Sequence, residues 1–474
     1  MRYPWATSGG CGLQTSLSAF RLLQRAAGWS PSRWLLALGI PFGLAFAIVT
    51  PPLQAPDELK HLARALAISE GILGAEAIVD GKPSIRVPQS LVALPARLGM
   101  DLQMHSERRQ DRARIEREFA RPPELFPRSW RALPSPYSPV AYLPEAAGVA
   151  IARWLGLPVV AFVYAGRLAN LAAFLAVTAL ALRATPAHAT TLLLVALLPM
   201  TLFIAASLSA DTVTNALAFL WLGLAWRATS AGPPLAARAV ASLGLVAAAL
   251  GLAKPGYAML VAIAFAVPGS RFTSRTRRTA ALAGWVAAAF VPGLLWSLYV
   301  TALAPDELVP EADAGAQLQW IATHLSAFAG VILASVVSMG WLWLASFIGV
   351  LGHADTWLPA WLYALQPLVL LAAAVADGAA SPLRGGRRAL AFATAVVTAV
   401  ATLTIGYVWW NAVGDGLIRG VQGRYFTPLA PLALAALHAP RAKGLPGMTR
   451  LALLGFAVFA LVIAIMRVWA RYYG

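Results

Sequence analysis

Long apolar runs, broken again and again by short arginine-bearing connections, constrain this chain more than any other feature. Of its 474 residues 59% are hydrophobic and only 12% charged, whereas globular domains are about a quarter charged. A hydrocarbon core demands roughly twenty apolar residues per crossing helix, and the runs supply about eleven. The sequence therefore predicts an all-α polytopic membrane protein with about 11–13 transmembrane helices.

The predicted helices lie near Arg33 to Thr50, Pro158 to Leu182, Thr190 to Ser207, Asp211 to Arg227, Arg238 to Ala253, Gly256 to Pro268, Ala280 to Ala302, Thr356 to Asp377, Ala389 to Trp410, Phe426 to His438 and Arg450 to Trp469. Charge orients them. Arg183; Arg227 and Arg238; Arg271, Arg275, Arg277 and Arg278; Arg384, Arg387 and Arg388; and Arg441, Lys443 and Arg450 fall in alternate connections whose single acid is Asp377. The remaining acids fall in the other set, as the positive-inside bias predicts with a cytoplasmic amino terminus. This parity requires His324 to Gly352 to begin and end outside, as an interfacial or re-entrant element.

The net charge of +17 is spread over these clusters and forms no basic stripe interleaved with stacking aromatics, which argues against a nucleic-acid partner. A lone Cys11 excludes an intrachain disulfide and a cysteine-based metal site. Residues 1–32 read as a cytoplasmic tail without assigned role. Ala45-Phe46-Ala47 has the small residues of a leader cleavage site, but the leader would be unusually long, and an uncleaved first helix is expected. Residues 33–474 form the integral membrane domain, with one large extracytoplasmic loop, 51–157. Within it, Glu107 to Glu118 reads as a solvated helix face. The pentapeptide Ala-Pro-Asp-Glu-Leu occurs at Ala55 to Leu59 and again at Ala304 to Leu308, but nothing around it repeats, and the second copy sits in an acidic loop read as solvated.

The polar motifs gather on the predicted outer face. Pro51-Pro52 ends the first helix and leads stiffly to Asp57 and Glu58. Asp57, His61 and Arg64 follow at spacings of four and three, one face of a short helix. Arg167 and Asn170 lie one turn apart, and Ser207, Ser209, Asp211 and Asn215 line a turn. Lys254-Pro255 interrupts an apolar pair. The last outer loop reads Gly420-Val421-Gln422-Gly423-Arg424-Tyr425-Phe426, where glycines permit close approach and Arg424 offers a bidentate fork for phosphate.

In combination these motifs resemble a family of bacterial multi-pass membrane proteins, domain of unknown function 2142. The matching pieces are Pro51 to Arg64 with Ile68-Ser69-Glu70-Gly71, Tyr137 to Pro144, Gly166 to Asn170, Pro199-Met200 with Ser207 to Asp211, Ala253-Lys254, and Gly420 to Phe426 with Pro428 and Pro431. Leu59-Lys60 departs from the pattern, where a proline is expected after the Glu. That family resembles the GT-C superfamily of membrane glycosyltransferases. The resemblance implies a GT-C-like helical domain in the bacterial cytoplasmic (inner) membrane with its site on the periplasmic face. It also implies a polyprenyl-phosphate-linked sugar donor and inverting transfer to a cell-envelope glycan or lipid-linked acceptor.

On that reading Asp57 is the general base for the acceptor hydroxyl, with Glu58 assisting; the plainer alternative is that both acids cap the following helix. Arg424 and Lys254 bind and stabilise the leaving phosphate, or Lys254 merely snorkels to headgroups. His61, Arg64, Gln422 and Tyr425 complete the expected substrate-binding set, although His61 also reads as an ordinary hydrogen-bonded interfacial histidine and Arg64 as a partner of Glu58. Asp57, Glu58 and His61 are also candidate ligands for a divalent cation such as Mg or Mn. Arg167 and Asp211 are expected to form a structural ion pair. A transporter or flippase of lipid-linked sugars, and a non-catalytic scaffold for envelope polysaccharide assembly, are the competing functions.

Overall fold

A computed structural model describes residues 28–103, 105–133, 137–303, 312–377, 381–439 and 445–474. Nearly all of residues 1–32, the second copy of the repeated pentapeptide with Asp306, Glu307 and Glu311, and Arg441 and Lys443 lie outside the described residues.

The protein is a helical bundle of the polytopic membrane class. Among the described residues six helices are long and apolar enough to cross a membrane: Pro31–Val49, Val159–Ala184, Arg275–Val300, Leu325–Ile348, Gly386–Trp410 and Gly447–Tyr472. A seventh crossing is available if Pro199–Ala205 and Ala210–Thr229, which meet at 116°, count as one broken span. The larger predicted number divides differently because several apolar runs are not single long helices. The run from Thr190 to Ser207 is two short helices, Ala189–Ala196 and Pro199–Ala205, separated at Pro199. The run after Lys254 is a twelve-residue 3-10 helix, Pro255–Ala266, and Phe426 to His438 yields only the helix Ala430–Ala435. These short pieces are satisfied by burial against neighbours; Leu192 to Leu198 is almost entirely sealed.

The first long helix shows how sequence sets an element. Ser30 accepts a hydrogen bond from the Arg33 amide at its start, and Pro31 occupies the first turn, where no amide is needed. It ends at Thr50, in extended backbone, because Pro51 forbids the helical conformation at the residue before it. Gly39 and Gly43 present a small-residue stripe on which Leu175 and Leu171 of Val159–Ala184 seat at van der Waals contact.

Residues 51–157 fold into a packed cap on one end of the bundle, here termed the loop end. Helix Glu58–Ser69 lies beside a three-stranded antiparallel sheet formed by Ala77–Val79, Lys82–Pro88 and Arg128–Ala132. Register pairs Val79 with Lys82, and Arg86 with Trp130. Asp80-Gly81 makes the hairpin, both residues with positive φ, a two-residue turn this dipeptide favours. Leu62, Leu66, Ile85, Leu91, Leu94, Val149 and Phe162 form the cap's core. Helix Arg112–Phe119 is largely solvated, as its charge density predicts, except for Glu118, which is buried and pairs with Arg97 and Arg121.

The carboxyl terminus is bound to this cap. Arg471 donates to the carbonyls of Leu102 and Arg108 and pairs with Asp355 at 2.6 Å; Gln110 donates its amide to the Tyr472 carbonyl. The arginine connections gather at the opposite end, where Arg388 donates to the Ala436 carbonyl and the amides of His188 and Ala439 bond to Asp377 and Val375.

Leu325–Ile348 is one uninterrupted 24-residue helix, so of the two expected forms, interfacial or re-entrant, it does not fold back on itself as a re-entrant element would. Its first turns stack Phe328 on Tyr407, at the loop end of Gly386–Trp410. After its last turn, the Gly349 carbonyl accepts from the Tyr363 hydroxyl, near the loop end of Ala360–Ala376. Both ends of this helix thus meet the same end of the bundle.

Candidate functional site

The turn after the first helix builds the site. Pro51 and Pro52 block further helix, and the chain folds back with Leu53 and Asp57 both in the left-handed region, at φ 66° and 59°. For branched Leu53 such backbone is costly and must be fixed by its surroundings. Glu58 does this. One of its carboxylate oxygens accepts the Leu53 amide at 2.9 Å, the other the Leu208 amide at 3.2 Å.

Both oxygens also accept from Arg167 at 2.7 Å, and neither side chain has any solvent exposure. The same guanidinium donates to the carbonyls of Ala47, Thr50 and Pro51, satisfying groups that the helix end leaves orphaned. Glu58 is therefore enclosed beneath the site, on the structural side of the turn. The ion pair of Arg167 is with Glu58, and the expected pairing of Arg167 with Asp211 is replaced by it. Asn170, one turn on, donates to Glu145 and to the Ser207 carbonyl.

Asp57 faces the other way. Its side chain makes no capping hydrogen bond to the helix it precedes, so the capping alternative does not describe it. Its carboxylate is 45% exposed and lies 3.5 Å from Lys60 and 3.8 Å from Arg424.

Arg424 arrives from the far end of the sequence, in the 3-10 turn Gly423–Phe426. Its guanidinium is nearly buried, its Nε 3.4 Å from an Asp211 oxygen, while its Nη1 has no hydrogen-bond partner among the described residues. Lys254 makes a close ion pair with the other Asp211 oxygen. The ammonium sits 4.7 Å from the Tyr137 ring centroid and 5.1 Å from that of Tyr425, within cation–π range. The Tyr257 hydroxyl donates to the Tyr425 carbonyl at 2.7 Å and ties the two segments together.

His61 closes the cluster, its Nδ1 3.1 Å from the Tyr142 hydroxyl. Burial is the main cause holding the imidazole at about 4, outweighing the opposing pull of Asp57 and Asp211; Arg424 and Lys254 push the same way as burial. The ring is accordingly neutral near pH 7. The cluster sets two carboxylates, Asp211 enclosed and Asp57 open to solvent, against the enclosed cations Arg424 and Lys254 and the exposed Lys60.

Gly423 has a different use from the one its sequence suggests. A Cβ there would meet the Trp343 carbonyl oxygen at 1.7 Å, and its amide donates to the Ser346 hydroxyl at 2.8 Å. The glycine lets the Arg424 turn lie directly on the backbone of Leu325–Ile348, so the close approach is by helix and not by a ligand.

Of the predicted site residues, Asp57, His61, Lys254, Arg424 and Tyr425 converge. Arg64 does not: it is fully buried and donates to the Leu73 carbonyl at 2.6 Å, closing the far end of its helix. Gln422 contributes a backbone carbonyl that accepts from the Tyr425 amide. The three candidate metal ligands do not form one group, because Glu58 is consumed by Arg167 and two amides, and Arg424 and Lys254 crowd the rest. Among the described residues no group of three His, Cys, Asp or Glu has metal-binding geometry. Sequence reasoning missed Asp211 as the hub. The signal was Ser209, which caps helix Ala210–Thr229 by accepting from the Asp211 amide and so fixes where that acid points.

Fold and site together define a polytopic helical membrane protein whose buried polar cluster lies at one end of the bundle, under a folded loop. The chain belongs to the family described as predicted membrane protein DUF2142, whose model matches residues 40–433. No curated protein and no solved structure matches it.

Proposed function

We propose that the protein is an inverting glycosyltransferase of the bacterial inner membrane, moving a sugar from a polyprenyl-phosphate donor to an envelope acceptor on the periplasmic face. The observation that carries this reading is the pairing of a half-exposed carboxylate, Asp57, with an enclosed guanidinium, Arg424, 3.8 Å away. Asp57 accepts the acceptor hydroxyl proton as that oxygen bonds to the anomeric carbon. The bond from the anomeric carbon to the phosphate oxygen breaks, and the electron pair leaves with the phosphate. Arg424, whose buried Nη1 has no hydrogen-bond partner among the described residues, and Lys254 offset the negative charge on that group. Asp211 holds both cations in place before substrate arrives, so little reorganisation accompanies the reaction. Glu58 and Arg167 act one layer below, as positioning residues.

One observation favours a transporter as the second reading. The chain bends by 116° between Pro199–Ala205 and Ala210–Thr229, immediately before Asp211, and broken helices beside polar groups are a transporter device. Labelled polyprenyl-phosphate sugar, incubated with the purified protein in vesicles carrying acceptor, separates the two. Sugar transfer that vanishes in Asp57→Asn supports the enzyme. Donor movement across the bilayer without transfer overturns it in favour of the transporter.

A further inference from the structure

At the end of the bundle opposite the loop, three elements line an open cavity of about 260 Å³. One wall is the end of the 3-10 segment, with Phe265, Val267 and Pro268; another is the first turn of Arg275–Leu303, with Arg278; the third is the start of Gly386–Trp410, with Arg387 and Leu390. The lining is thus two guanidiniums above an apolar floor, at the level where long apolar helices begin. A soluble anion would have no use for the floor, and an acyl chain alone no use for the arginines.

The charge around the cavity is uncompensated. Arg278 and Arg387 have no carboxylate partner among the described residues, and the Nε of Arg278 is buried without a hydrogen-bond partner. The one described acid at this end, Asp377, is committed to the amides of Thr190 and Thr191. Neighbouring Arg388 is satisfied by the Ala436 carbonyl, and Arg277 by the Thr273 hydroxyl. No arginine at this end has a carboxylate partner among the described residues, and Arg278 and Arg387 are the two whose side chains line the cavity. Gly386, on the rim, adds no side chain that would block access.

We propose that this cavity binds the headgroup of an anionic phospholipid from the adjoining leaflet. Arg278 and Arg387 grip the phosphodiester, and the first methylenes of the acyl chains lie on Phe265, Val267 and Leu390. Basic pockets between helices on the arginine-rich side of a membrane protein recognise such headgroups, and guanidiniums bind phosphate oxygens with forked geometry. The site is separate from the Asp57 cluster and does not depend on the transferase reading.

The test uses the purified full-length protein, titrated with phosphatidylglycerol or phosphatidylcholine and read by native mass spectrometry. Phosphatidylglycerol is expected to bind at least about tenfold more tightly than phosphatidylcholine, and the Arg278→Gln, Arg387→Gln double variant to lose that preference. Leu390→Asp, which keeps both arginines but charges the floor, is expected to lose it too. Equal binding of the two lipids, or full phosphatidylglycerol preference in both variants, overturns the proposal. So does displacement of the lipid by glycerol 3-phosphate at equal concentration, which would make the ligand a soluble phosphate. Arg278, Arg387 and Leu390 are partly buried, so the thermal midpoints of both variants in lipid-free detergent check that any loss is local.

Discussion

Arg167 and Glu58 share two hydrogen bonds of 2.7 Å with no solvent exposure on either side chain, and between them they also hold the carbonyls of Ala47, Thr50 and Pro51 and the amides of Leu53 and Leu208. The adjacent acids of the Asp57-Glu58 motif consequently do opposite jobs. One is sealed in and holds the turn; the other is left in solvent beside Arg424.

Removing one partner strands a buried charge, which costs about 3–5 kcal/mol. Glu58→Ala and Arg167→Ala should each lower the unfolding midpoint strongly in detergent denaturation, with activity lost only in proportion to folded protein. A stable Glu58→Ala protein with a specific catalytic defect would show instead that Glu58 works on substrate.

Asp57→Asn should behave in the reverse way. Asn tolerates the left-handed backbone nearly as well as Asp, and an exposed carboxylate with no capping bond contributes little to stability. The expected change is within about 0.5 kcal/mol, while sugar transfer in a purified assay falls to background. Asp57→Val should also unfold more readily, since a β-branched residue resists that φ.

Gly423→Ala places a methyl group against the Trp343 carbonyl, so the Arg424 turn must lift from its helix. Donor affinity should drop by tenfold or more although Arg424 itself is unchanged, and Ser346→Ala, which removes only the hydroxyl that accepts the Gly423 amide, should give a smaller loss of the same kind. Titration with a labelled polyprenyl phosphate reads both.

His61 sets an acid limit on stability. Its affinity for protons falls on folding, from the ordinary 6.5 to about 4, so below pH 6.5 the unfolded chain binds a proton that the folded chain refuses. Stability from this group is complete above about pH 6.5 and declines as pH falls toward 4, by on the order of 3 kcal/mol, then levels off. His61→Gln should flatten that part of the pH–stability curve measured by thermal unfolding.

The polytopic helical class and the convergence of Asp57 with Lys254 and Arg424 were legible in the sequence, because charge asymmetry between connections sorts distant motifs onto one end of a bundle. The exchange of roles around Glu58 was not legible. Spacing of Asp57, His61 and Arg64 reads as one helical stripe only if Asp57 is helical, and its positive φ rotates it off that stripe. Arg64 then turns to the carbonyls beyond its own helix. The partner of Arg167 was hidden for a related reason: sequence gives which charges must be paired in an apolar surrounding, but not which pairs the bend at Pro51 brings within reach. Apolar runs that lack a polar face carry no phase signal, which is why the break at Leu197-Leu198 did not announce itself, whereas Lys254-Pro255 marked its break and left only the 3-10 form of the following segment unread. The sheet in the cap had a signal in Asp80-Gly81 that the all-helical expectation passed over.

The helix Leu325–Ile348 begins beside Tyr407 and finishes beside Tyr363, and at 1.5 Å per residue it runs about 36 Å without changing sides. It therefore behaves as a crossbeam resting on the bundle, with the Arg424 turn bolted to its underside at Ser346. Because Gly423 sits against the Trp343 carbonyl and bonds Ser346, any shift of that beam would carry the Arg424 guanidinium with it, toward or away from Asp57.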